Sequence, residues 1–79
     1  MNWYKVARKK WKQVDSTLIT EVAYDSPLQV LSLRLRGGKV YNFKDVTKDI
    51  YKALLKSSSK GRFFNNMIKD NYEWNKESD

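Results

Sequence analysis

The sequence predicts one small α+β domain: an N-terminal amphipathic helix, a three-stranded antiparallel meander and two C-terminal helices packed on the sheet. Three observations lead there. Apolar residues recur at helical spacing near the N-terminus, alternate with polar ones through the middle, and return to helical spacing over the last third. A Gly37-Gly38 pair between two alternating runs marks a hairpin. The chain has 79 residues, which is one domain at most, with no internal repeat and no linker.

The first segment is the most basic. Residues 1–14 carry Lys5, Arg8, Lys9, Lys10 and Lys12 and no acid, whereas residues 15–46 balance and residues 47–79 sum to +2. At about 100° per residue, Trp3, Tyr4, Val6, Ala7, Trp11 and Val14 fall within an arc of about 160°, opposite Lys5, Arg8, Lys9 and Lys12. Asn2 can cap the first turn. This reads as a basic helical extension over residues 1–13. Its tryptophans pack on the domain and its cations face water, either to meet a partner or simply to be solvated.

Leu18, Thr20, Val22 and Tyr24 alternate with Ile19, Glu21, Ala23 and Asp25 in a first strand, ended by the turn chemistry of Asp25-Ser26-Pro27. Leu31, Leu33 and Leu35 alternate with Ser32, Arg34 and Arg36 in a second, and Tyr41 and Phe43 mark a third. Two hairpin registers are open. A two-residue loop at Gly37-Gly38 puts Tyr41 and Phe43 opposite the leucines, as an open stacking platform. A three-residue loop, Arg36-Gly37-Gly38, pairs Leu33 with Tyr41 and buries the aromatics with the leucines, with Gly38 in the left-handed position. Joint burial of Leu, Tyr and Phe favours the second.

Thr47 can cap a helix from Lys48 whose stripe is Ile50, Tyr51, Leu54 and Leu55, with Lys48, Lys52 and Lys56 on another side. Ser57-Ser58-Ser59 ends it and can cap a second helix, marked by Phe64, Ile68 and Tyr72 at every fourth residue. Residues 75–79 are polar and read as a frayed tail, Lys76 included.

Composition excludes much chemistry. The chain has no cysteine and no histidine, which removes thiolate ligands, the cysteine nucleophile and the commonest general base. The carboxylates show no pairing that suggests a metal, and Gly37-Gly38 lacks the pattern of a phosphate loop. The sequence therefore points to a binding protein that uses no metal and no cofactor, and not to an enzyme. No apolar run suits a membrane span and no secretory signal is present, so the expected location is the cytoplasm.

Sixteen Lys/Arg against nine Asp/Glu give a net charge of +7, which suits a polyanionic partner. RNA or DNA comes first, an acidic protein partner second, and an anionic membrane met through the N-terminal helix third. The candidate phosphate contacts are Lys5, Arg8, Lys9, Lys12, Lys56, Lys60 and Arg62. Ser59-Lys60-Gly61-Arg62 is a candidate anion turn: a serine cap and a glycine at a helix start, where backbone N–H groups favour anions, with two cations as clamps. The same residues also fit a purely architectural reading, in which Ser59 caps and Gly61 permits close packing.

One pattern resembles a known family. Val14, Ser16, Ile19 and Val22-Ala23-Tyr24-Asp25 precede Leu31, Leu33, Leu35, Gly38, Tyr41 and Phe43; Ser59-Lys60-Gly61-x-x-Phe64-Asn65, Ile68 and Tyr72 follow. Over residues 14–74 this resembles the KTSC domain, found at the C-terminus of some lysyl-tRNA synthetases and as small stand-alone proteins of bacteria and phages. The resemblance implies a meander sheet followed by two helices, and a suggested role in RNA binding. It carries over no binding residues. Phe43 stands where the family usually has a second tyrosine, and residues 1–13 lie outside the pattern.

Overall fold

The computed structural model describes Trp3 and residues 8–77. Strand β1 (Lys12–Gln13) leads to β2 (Ile19–Asp25), β3 (Val30–Leu35) and β4 (Val40–Phe43); helix α1 (Lys48–Lys56) and helix α2 (Lys60–Phe63) follow. The second helix runs on into a π-helical turn (Phe64–Ile68), and the chain closes with β5 (Trp74–Glu77). All five strands join one antiparallel sheet in the order β1-β2-β3-β4-β5.

The α+β class holds, and three expectations within it need correction. The sheet has five strands, not three. The N-terminal amphipathic helix is absent from its described part: residues 8–11 are not helical, and Lys12–Gln13 pairs with Val22 and Glu21 on β2. Residues 4–7, where Lys5 lies, fall outside the described residues. The frayed tail is also corrected, since Trp74–Glu77 pairs with β4 from Phe43 back to Val40.

The β3–β4 hairpin takes the three-residue loop. Leu33 pairs with Tyr41 and Leu31 with Phe43, and the Leu35 N–H donates to the Lys39 carbonyl. Gly37 and Gly38 have φ of 105° and 99°, which explains the glycine pair, because L side chains rarely adopt such angles. Register then sorts the side chains. Ile19, Val22, Leu31, Leu33 and Phe43 face the helices, where Leu54, Phe64 and Ile68 close the core. Phe43 meets Phe64 edge-on at 5.6 Å between ring centres.

Helix α1 starts as its sequence suggests: the Thr47 hydroxyl accepts from the Ile50 N–H, and Asp49 sits in the positive first turn. Leu54 is buried, and Ile50, Tyr51 and Leu55 pack half-buried around it. Tyr51 stacks on Tyr24, whose hydroxyl donates to the Val46 carbonyl. The second helix departs from its pattern. The Lys69 N–H donates to the Phe64 carbonyl, a bond spanning five residues. Phe64 and Ile68 stay buried, but Tyr72 lies beyond the helix.

Candidate functional site

The face of the sheet away from the helices is closed, and it buries polar groups beside Ala23, Val30 and Val40. Ser32 is 2% exposed and Asn42 is fully buried. The Ser32 hydroxyl donates to Asn42 Oδ1, Asn42 Nδ2 donates to Glu77 Oε1 at 3.1 Å, and Lys9 Nζ donates to the same carboxylate oxygen. Beside this chain, the Arg34 guanidinium lies 3.0 Å from Glu21 and 4.6 Å from the centre of the Trp11 ring. Lys44 lies 5.8 Å from the centre of the Trp3 ring. Residues 8–11 thus lie across this face as a non-helical strap, with Lys9 on Glu77 and Trp11 on Arg34. Burial alone would raise the Glu77 carboxyl, but hydrogen bonds from Lys9 and Asn42, with the Lys9 and Arg34 charges, outweigh it and hold its pKa below the usual value.

This arrangement divides the predicted phosphate contacts. Trp3 and Trp11 are half-buried, as expected of residues packed on the domain. Arg8 and Lys12 are exposed, but Lys9 is largely buried in its ion pair with Glu77. The expectation that Lys9 faces water is corrected, because a cation paired inside the fold is not offered to a partner.

The predicted anion turn is built differently from its sequence reading. Ser59 occupies the N-cap position of α2 without a side-chain cap, and Ser57 Oγ accepts from the Ser59 N–H instead. A Cβ on Gly61 would lie 3.3 Å from the Leu18 Cβ, so the glycine permits close approach of the helix to the start of β2. Lys60 Nζ donates to the Ser57 carbonyl at 3.1 Å. Arg62 and Lys56 are exposed. Together Ser59, Lys60, Gly61 and Arg62 border a shallow hollow whose other wall is Asp15, Ser16 and Thr17. Arg36 fastens that wall by donating to the Ser16 and Thr17 carbonyls.

A second hollow adjoins the first, with Leu18 and Asn65 lining both. It is an open groove of about 390 Å³ between the π-helical turn and the β4–β5 edge. Leu35, Tyr41, Phe43, Phe64 and Trp74 give it an apolar, largely aromatic lining, and Lys69 and Asp70 stand at its rim. Trp74 meets Tyr41 at 5.5 Å with 63° between the ring planes and remains 53% exposed. Register puts Lys76 on the same face as Tyr41. The sequence reading missed Lys69, Trp74 and Lys76 here. For Trp74 and Lys76 the signal is the pairing of β5 with β4, and for Lys69 the π-helical turn, neither of which a local pattern displays.

Among the described residues, no cluster of acidic side chains could hold a metal ion, and no helix is long and apolar enough to cross a membrane.

Residues 15–72 match the KTSC domain family. A protein of Tsukamurella paurometabola is 36% identical over 59 residues, covering 75% of this chain and 88% of its own. An uncharacterized protein of Stutzerimonas stutzeri is 30% identical over 56 residues, covering 71% and 79%. Among solved structures, the crystal structure of a KTSC domain protein from Yersinia pestis superposes with a TM-score of 0.84 at 26% identity, over 90% of this chain and all of that one.

Proposed function

The chain belongs to the KTSC domain family, and from that premise we propose that it is a cytoplasmic nucleic-acid-binding module. It takes RNA before DNA, acts by binding and not by catalysis, and reads little sequence. The observation that carries this reading is the charge balance of the surface. Among the described residues, eleven of fifteen Lys/Arg are exposed, against five of eight Asp/Glu. The three remaining acids are only half-exposed, and two of these, Glu21 and Glu77, are paired internally with Arg34 and Lys9. The surface therefore offers a polyanion about twice as many cations as carboxylates.

Exposed Lys56, Arg62, Lys69 and Lys76 supply phosphate contacts on the helix side, with Lys60 at the turn. Arg8 and Lys12, exposed on the strap and at its end, add to the long-range positive field and are not counted among these contacts. Contacts to phosphate position a polymer without distinguishing bases, so low sequence specificity follows.

A salt titration tests this reading. Each neutralised phosphate releases counterions, so log affinity falls linearly with log salt, by roughly 0.7 to 0.9 per contact. Four or five contacts give a slope of roughly −3 to −4. Arg62→Glu with Lys69→Glu should weaken binding to all sequences alike and flatten the slope. Absence of binding to RNA and duplex DNA at about 50 mM salt, where phosphate contacts are strong, contradicts the reading and turns attention to an acidic protein partner.

A further inference from the structure

We infer that the aromatic groove between the π-helical turn and the β4–β5 edge is a stacking site for one unpaired nucleobase, with Trp74 as its platform. The inference rests on the nucleic-acid reading and deepens it, by making the preferred polymer single-stranded.

Three features of the groove lead to this occupant. The first is Trp74 itself. Tyr41 orients the indole from its edge, so the ring is held in place while about half of its residue surface stays open. Leaving that much tryptophan surface in water is unfavourable, and a planar partner would remove it. Every base has a π-face, so such a platform accepts any base.

The second feature is the rim. Lys69 lines the groove directly, and Lys76 lies next to Tyr41 on the same face of the sheet. The groove also shares Leu18 and Asn65 with the hollow that Lys60 and Arg62 border. Cations therefore stand around an apolar slot, with Asp70 as the carboxylate among its lining residues. Positive charge beside an aromatic platform matches a strand whose phosphates flank each base. An apolar peptide side chain would use the slot and leave the lysines idle.

The third feature is the π-helical turn. Its five-residue bond, from the Lys69 N–H to the Phe64 carbonyl, departs from α-helical spacing where the chain borders the groove. Phe64 and Ile68 remain in the core while Asn65, Lys69 and Asp70 line the opening. Turns of this kind occur often at functional sites. Asn65 adds an exposed amide, able to donate to and accept from a base edge.

The experiment compares wild type, Trp74→Ala and Trp74→Phe, using single-stranded RNA and an RNA duplex of matched length. Thermal melts check that each variant folds. Trp74→Ala should lower single-strand affinity about 5- to 150-fold, the effect of removing one stacking platform. It should leave duplex affinity and the salt slope unchanged, and Trp74→Phe should restore most of the loss. Uridine and adenosine monophosphates, added separately, should shift the Trp74 indole N–H resonance. If single-strand binding keeps its salt slope but ignores Trp74→Ala, the groove inference is overturned and the electrostatic reading stands. If neither polymer binds at all, both fall. Uptake of an apolar peptide without any response to nucleotides also overturns the groove inference.

Discussion

On one side of the sheet, Leu31, Leu33 and Phe43 are closed by Leu54, Phe64 and Ile68; on the other, Ser32 and Asn42 are closed by Lys9, Glu77 and the strap that carries Trp11. Both faces exclude water, and they do so with different chemistry. The helix side uses non-directional apolar burial, which tolerates an open groove at one edge. The strap side uses a chain of hydrogen bonds in which each member needs its neighbour. The difference teaches where function can sit. Cations on the strap side are partly consumed in holding the fold, whereas Arg62, Lys69 and Lys76 on the helix side stay exposed beside an aromatic groove.

The largest expected effect is on the apolar side. Phe43→Ala empties a buried aromatic site between Leu31 and Phe64 and should cost about 3–5 kcal/mol in denaturant unfolding. A variant that keeps its melting temperature but loses RNA binding would mean that Phe43 is a contact surface and not core.

Next comes the polar side. Asn42→Ala leaves the buried Ser32 hydroxyl without its acceptor and Glu77 without one of its donors. Stranding such groups costs about 1–3 kcal/mol. The Ser32→Ala/Asn42→Ala double variant should cost less than the sum of the single ones, because the pair is coupled. Strict additivity in the unfolding free energies would show that the two residues do not act as a network.

The smallest effect is on pH dependence. The Glu77 carboxyl is held below its ordinary value of 4.5. A depressed carboxylate stabilises the fold fully above its unfolded pKa, and the contribution disappears as pH falls through the folded one. Melting temperatures of wild type and Glu77→Gln should therefore differ by a constant amount above about pH 5, where the unfolded carboxylate is ionised. They should converge on acidification below that point. A difference that does not change with pH would rule out the ion pair as its source.

How far the sequence displays this molecule depends on the range of the interactions. The leucine alternation, the glycine pair and the Thr47 cap are local, and β3, β4 and α1 follow from them. Joint burial of leucines and aromatics even selects the hairpin register. The π-helical turn escapes notice because Phe64, Ile68 and Tyr72 keep an α-helical interval that the backbone abandons from Phe64 onward. β1 is two residues long and carries no strand signature. β5 reads as a polar tail because Asn75, Lys76 and Glu77 gain their roles only from β4, more than thirty residues away. The strap misleads in the same way. Its aromatic residues fall at helical intervals, but Trp11 is placed by the Arg34 guanidinium on a distant strand. Ser32 and Asn42 alternate as solvent-facing residues should, and are buried by the segment that crosses them. Of the candidate site, Lys60, Gly61 and Arg62 were legible, whereas the groove depends on β5 and was not.

The central claim, that the helix side binds and the strap side is structural, meets its most direct test in an amide and indole NMR titration with a single-stranded RNA. The account predicts shifts at Gly61, Arg62, Asn65, Lys69, Lys76 and the Trp74 indole, with the Asn42 side-chain amide and the Glu77 backbone little changed. Shifts centred on Arg8 to Gln13, with Trp74 silent, would contradict it.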